Sequence, residues 1–293
     1  MDLARMRRAC EDHQWSVDDV DWEGPGCADR ATAESLRGFL SDVVWVEYVA
    51  EPIFTAMANN VTDPDLQAIY RSFSGDERRH ADAELELMVR WGLLRRGEMP
   101  SPNVNIRTLH HQLAKHSAAI HPSVLVAVIP MLELLLDGAL VRFLMEASDD
   151  PVLHAAFARI NRDESRHLAV DFYVLETDAQ QYSALDHARN IVSTVTNRHI
   201  LWALFFGFIP YLGRARLNLE AMGLDYANVR RMLRRYVDLG DDNPAIARNP
   251  CYRAVRLYAA KLARGDFVLE DMLARLSDAV AKVGRPSRFF KSG

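Results

Sequence analysis

The chain has 293 residues, 49% of them hydrophobic and 26% charged, with 35 Lys and Arg against 40 Asp and Glu for a formal net charge of −5. This length allows one large domain or two ordinary ones with a sizeable core, and the composition excludes disordered, collagen-like and coiled-coil classes. A net negative charge with no helix-turn-helix, zinc-finger or RNA-binding signature leaves nucleic acid out as a partner. Cys10, Cys27 and Cys251 form neither a disulfide framework nor a CxxC motif, which fits a reducing cytoplasm.

The opening MDLARMRRACEDHQW lacks the apolar stretch of a secretory signal. Residues 1–31, with Trp15, Trp22, Gly24, Pro25 and Gly26 among several acids, read as an irregular arm laid over the body. Apolar residues at i, i+3, i+4 and i+7 then predict helices over 32–60, 64–92, 105–119, 122–147, 151–178 and 180–208. Shorter ones follow over 210–222, 226–238, 250–264 and 267–282. The expected architecture is all-α, a helical body over 32–209 with a C-terminal helical extension over 210–293. The longest apolar run, Ile200 to Gly213, has 14 residues with Pro210 inside. That is short of the ~20 needed to span a bilayer, so it reads as core and no membrane span is expected. Residues 225–293 carry 14 Lys and Arg against 8 Asp and Glu, a basic segment suited to docking an acidic electron donor or a carrier protein.

The chain repeats itself. In the first copy Glu47 lies in WVEYVAEP, a turn follows at NVTDP, and the next helix carries Asp76-Glu77-Arg78-Arg79-His80. In the second, Glu133 lies in MLELLLDG, a turn follows at SDDP, and the next helix carries Asp163-Glu164-Ser165-Arg166-His167. From the turn proline to the Glu of DExRH is 13 residues in both copies (64 to 77, 151 to 164). Asp before Pro is a good helix start, so each turn joins two antiparallel helices. Closing each hairpin sets its two glutamates at one height, ~20 Å from the turn at 1.5 Å rise per residue. His80 and His167, three residues after their glutamates, share the same helix faces.

Glu133 lies among Met131, Leu132, Leu134 and Leu135, and Glu47 among Val44, Trp45, Val46 and Val49. A carboxylate in such company is costly unless paired or bound to metal, and two dications offset four carboxylates. Glu51 and Asp137, one turn further on, form a rival pair that breaks the symmetry of the hairpins. His110, His111, His116 and His121 in the connector offer a possible seventh ligand.

One Glu from each of two helices and Glu-x-x-His from each of two others resembles the ferritin-like di-iron carboxylate superfamily, over residues 32–178. The resemblance implies a ferritin-like four-helix bundle of duplicated hairpins. It implies Glu47, Glu77, His80, Glu133, Glu164 and His167 as the catalytic metal ligands, with Glu77 and Glu164 bridging. Asp76 and Asp163 would accept the distal N–H of the opposite histidine. The cofactor implied is two iron ions, with manganese possible in one or both sites. The implied activity is that of an O2-activating oxygenase or oxidase acting on a small, apolar or aromatic substrate. Its reaction would be N-oxygenation of an amine, or C–H hydroxylation or desaturation. The DExRH wording is most similar to the p-aminobenzoate N-oxygenase type, which carries a further histidine where this chain has Ile160. With no Gly-rich nucleotide loop or iron–sulfur cysteine set, electrons would come from an external reductase or ferredoxin. A homodimer is expected. The alternative is a ferroxidase or a rubrerythrin-like peroxide scavenger.

Overall fold

A computed structural model describes residues 1–135, 141–222 and 226–283, and all regular structure among them is helical. The first hairpin pairs α2 (Arg30–Asn60) with α3 (Pro64–Arg90). Asp63 caps α3 by accepting from the backbone N–H groups of Asp65 and Leu66, with Pro64 in the first turn. The second hairpin consists of α5 (Pro122–Leu135), α6 (Arg142–Ala147) and α7 (Pro151–Gln181). Asp150 caps α7 through the Val152 N–H and also accepts from Trp91 Nε1 at 2.8 Å, which ties this turn to the end of α3. The middle of the helix expected over 122–147, including Asp137, lies outside the described residues.

The N-terminal segment is not irregular throughout: α1 (Leu3–Asp12) is helical, capped by Asp2, and packs along α3 with Arg7 paired to Asp65 at 2.7 Å. Its apolar face is only Leu3, Met6 and Cys10 in a strongly charged stretch, too thin a stripe to register as periodic. The helix expected over 180–208 is interrupted at two caps. Ser183 starts α8 (Ala184–Thr196), and Asn197 starts α9 (Arg198–Trp202) by accepting from the N–H groups of His199 and Ile200. A π-helical turn, 203–208, then leads into α10 (Ile209–Ala221).

Stretch 198–220 is thereby a continuous helix, long and apolar enough by length and composition to cross a bilayer, which the 14-residue apolar run alone is not. It packs on protein along one side. Ile200, Ala203, Ile209 and Tyr211 are buried, Arg214 and Arg216 pair with Asp278 and Asp271, and Trp202, Phe205 and Phe206 stay exposed.

The acidic partners of those arginines belong to α14 (Val268–Val283), which lies along α10 and touches α4 (Val104–His116). Between them in sequence come α11 (Ala227–Asp242), α12 (Pro244–Arg248) and α13 (Pro250–Ala263). Both α11 and α13 pack on α5, where Tyr236 Oη donates to the Ala127 carbonyl at 2.6 Å. Asp178 of α7 accepts from Ser123 and from Asn249, each at 2.8 Å, fastening the starts of α5 and α13 to the end of α7. The C-terminal helices thus share a core with the hairpins.

That core has two parts. Leu36, Leu40, Val44, Leu87, Met88, Leu153 and Phe157 belong to one hydrophobic cluster. Phe54, Met57, Ile69, Phe73, Ala127, Val170 and Leu175 belong to the other. Along α2, α3 and α7 the boundary between the clusters falls at residues 47, 77–80 and 164–167, so the repeated acids and histidines occupy the level between them.

Gly213 is where α10 and α14 approach most closely, and a Cβ there would fall on the Glu270 backbone. Gly213→Ala is expected to destabilise the chain by ~1–3 kcal/mol through forced separation of the two helices. Urea unfolding is the measurement; an unchanged midpoint would refute the close approach.

Candidate metal centre

Glu47 comes from α2, Glu77 and His80 from α3, Glu133 from α5, and Glu164 and His167 from α7. The structure brings all six together, and none is more than 5% exposed. They fall into two overlapping groups, Glu47, Glu77, His80 and Glu164 in one and Glu77, Glu133, Glu164 and His167 in the other. Within each group the donor atoms lie within 4.8 Å of one another. Glu77 and Glu164 belong to both groups, the position that bridging carboxylates require.

The histidines are oriented from behind. His80 Nε2 lies 3.1 Å from Asp163 Oδ2, and His167 Nε2 lies 3.3 Å from Asp76 Oδ2. A carboxylate only accepts, so each Nε2 carries the proton and each Nδ1 turns to the centre. There His80 Nδ1 is 3.0 Å from Glu164 Oε1 and 4.0 Å from Glu47 Oε2. His167 Nδ1 is 3.2 Å from Glu77 Oε1, 3.3 Å from Glu164 Oε2 and 3.9 Å from Glu133 Oε2. None of these contacts is aligned as a hydrogen bond: both Nδ1 atoms, Glu77 Oε1 and Glu164 Oε2 are buried without a partner. Imidazole lone pairs facing carboxylate oxygens repel unless a cation or a proton lies between them, so the donor set fits metal ions.

Burial pushes the Glu77 and Glu133 carboxyls well above the usual range, and neighbouring carboxylates add to the effect. It also raises Glu47. Burial acts on Glu164 in the same direction, but the His167 charge, together with Glu133 and His80 beside it, outweighs it and holds Glu164 well below. On His80, burial works against the charged form, yet Asp163 and Glu164 prevail and lift it to about 9. Without metal, protons balance this charge.

A further layer ties the site to the N-terminus. Trp15 Nε1 donates to Asp163 Oδ2 at 2.7 Å, and Gln14 Nε2 donates to Asp76 Oδ1 at 3.3 Å. Arg166 pairs with Asp163 and Arg79 with Asp76, while the Arg79 guanidinium lies over the Trp15 ring. Trp15 was invisible as a site residue in the sequence, where its only signal is being one of two tryptophans in a polar arm. Glu84 was missed as well. It is fully buried one turn beyond His80.

Other candidates lie elsewhere. Glu51 is half-buried and pairs with Arg78 at 3.1 Å. His110 meets the Trp45 ring, His116 stacks on His199, His111 lies near Lys115 and His121 faces Tyr182. Among the described residues none of these histidines joins a metal-holding group.

An apolar cavity of about 100 Å³ adjoins the ligand helices. Val46 and Val49 line it from beside Glu47 and Leu132 from beside Glu133, with Leu109, Phe208 and Tyr211 opposite. Burial raises the Tyr211 phenol, and the charges of Asp42 and Glu47 raise it further, so Tyr211 senses the Glu47 side of the centre. No known family model and no curated protein sequence matches the chain.

Because the carboxyls of Glu47, Glu77 and Glu133 and the His80 ring all hold protons more tightly than usual, metal must displace protons to bind. Affinity for Co(II) or Fe(II) is therefore expected to rise with pH until His80 loses its proton at about 9, with protons released on binding. Calorimetry in buffers of different ionisation enthalpy measures that release; binding without it would contradict the proposed ligand set.

Proposed function

We propose that this chain is a ferritin-like di-iron carboxylate protein that activates O2 to oxidise a small apolar substrate. The observation that carries the reading is the pair of overlapping donor groups sharing Glu77 and Glu164, each completed by a histidine held from behind by an aspartate of the other hairpin. Glu47, Glu77, His80 and Glu164 would hold one ion and Glu77, Glu133, Glu164 and His167 the other. Six oxygen and nitrogen donors of this mix suit iron, with manganese as the alternative occupant. Two bound ferrous ions supply the electrons and open positions with which O2 is reduced and made reactive.

The protein's own residues supply the rest. Asp76 and Asp163 keep both imidazoles in the Nε2–H form. Trp15, Gln14 and the two arginines cover the histidine side. On the glutamate side, the cavity lined by Val46, Val49 and Leu132 presents a dry apolar wall to a substrate, which argues for an alkyl or aryl group next to the reacting position. Amine N-oxygenation and C–H hydroxylation or desaturation both suit such a pocket. An organic pocket beside the donors favours an oxygenase over a ferroxidase or peroxide scavenger, for which iron or peroxide is itself the substrate. Reducing equivalents would come from a separate reductase or ferredoxin.

The test is anaerobic loading with Fe(II) followed by rapid mixing with O2. The expected result is two irons per chain, an O2-dependent visible absorption, and its faster decay in the presence of an amine or alkyl compound that fits the cavity. Iron turnover that no organic compound alters would favour the ferroxidase reading. Glu164→Ala, which removes a donor shared by both groups, is expected to abolish stable metal binding together with the O2 reaction. Full metal retention in that variant would overturn the assignment.

A further inference from the structure

Glu84 is fully buried, and neither of its carboxylate oxygens has a hydrogen-bond partner. Among the described residues no cation pairs with it; the charged groups acting on it are Glu47 and Glu164, both donors of the His80 group. An unpaired carboxyl this deep is costly to ionise, so its place demands an explanation.

The pseudo-symmetry of the hairpins supplies a control. Four residues after each histidine stands an acid, Glu84 after His80 and Asp171 after His167, and both are buried. Seven residues before each bridging glutamate stands an aromatic ring, Tyr70 before Glu77 and Phe157 before Glu164. The Tyr70 phenol acts on the Asp171 carboxyl across the interface between α3 and α7, although neither Tyr70 Oη nor Asp171 Oδ2 closes a hydrogen bond among the described residues. The same symmetry sets Phe157 opposite Glu84, and Phe157 has no hydroxyl to offer. Asp171 thus has a polar neighbour and a short side chain, whereas Glu84 has neither.

Helix geometry indicates where Glu84 can turn. Side chains on an α-helix lean toward its N-terminus, so Glu84 leans back along α3 toward the turn that carries His80 and Glu77. Its oxygens stand outside the two donor groups as they are drawn together here. As the i+4 neighbour of His80, Glu84 shares its face of α3 and is the acid placed to reach the ion that His80 would bind.

We infer that Glu84 is an additional carboxylate ligand for the metal held by Glu47, Glu77, His80 and Glu164, and that the two metal positions are therefore unequal. The first position gains a donor that the second lacks, since Asp171 is one methylene shorter than Glu84 and has the Tyr70 phenol acting on it. This inference rests on the di-metal reading above. On binding, the proton that burial keeps on the Glu84 carboxyl leaves to solvent, and one oxygen lone pair is donated to the ion.

The experiment is anaerobic titration of the full chain with Co(II), followed by calorimetry and by its visible d–d bands. Wild type, Glu84→Gln and Glu84→Asp are compared, with circular dichroism and urea unfolding as checks on the fold. Two ions of different affinity are expected in the wild type. Gln keeps the size of a neutral Glu but is a poor metal donor, and Glu84→Gln should weaken one ion roughly 10–100-fold, at least the effect of losing an outer partner. The other ion should be unchanged, and the bands of the weakened ion should shift. Glu84→Asp, which keeps the charge but loses reach, should lie between and carries the test if the Gln variant does not fold. Two ions bound by Glu84→Gln with wild-type affinities and bands would overturn the role of Glu84 alone. A wild-type chain that binds no Co(II) would overturn the di-metal reading itself.

Discussion

Four carboxylates and two imidazoles withdrawn from water at a single level are the constraint on which the rest of this fold depends. Burial makes each of them expensive, and their mutual repulsion makes the set more expensive still. The fold answers with helices long enough to carry apolar side chains on both sides of that level. In α2, α3 and α7 the residues before the donors belong to one hydrophobic cluster and those after them to the other. Along α2, α3 and α7 the clusters meet at the polar layer, and Tyr226 and Val229 of the C-terminal part pack against both.

The polar layer is also organised outward. Each histidine is fixed by an aspartate from the opposite hairpin, and each aspartate is neutralised by an arginine three residues on in its own helix. Crossing the aspartates between hairpins means that neither hairpin can build its own half of the site; the interface between α3 and α7 must form first. Trp15 and Gln14 then close this outer shell from a segment that precedes both hairpins. The turn that follows the N-terminal helix is thereby part of the site's support.

Much of this was legible in the sequence because it depends on spacing alone. The Asp-Pro turns, the 13 residues from each proline to each DExRH glutamate, and the i, i+3 step to histidine are set by helix geometry, and the structure places those six side chains together. What was not legible depends on tertiary contact. Trp15 reaches Asp163 across 148 positions of sequence, and no periodicity encodes that. The helix 3–12 has too few apolar residues to announce itself. Glu84 looked like one more acid in DAELE, because burial is a property of neighbours on α2 and α7 that local sequence does not list. The caps at Ser183 and Asn197 were readable in principle, but the unbroken apolar rhythm around them outweighed two polar residues.

The same layer gives the centre two unlike faces. Behind the histidines stand Asp76, Asp163, Arg79, Arg166 and the Trp15 ring, a shell of paired polar groups. Beside Glu47 and Glu133 the neighbours are Val46, Val49 and Leu132, and beyond them is empty apolar volume closed by Tyr211 and Phe208 from the helices that follow the hairpins. Fixed groups with a single proton-bearing tautomer stand on the side where rigidity orients ligands. Carboxylates, which can shift between one- and two-oxygen binding, stand on the side where space remains. The helices after residue 209 therefore do more than extend the body, because without Tyr211, Leu212 and Leu233 the cavity would have no far wall.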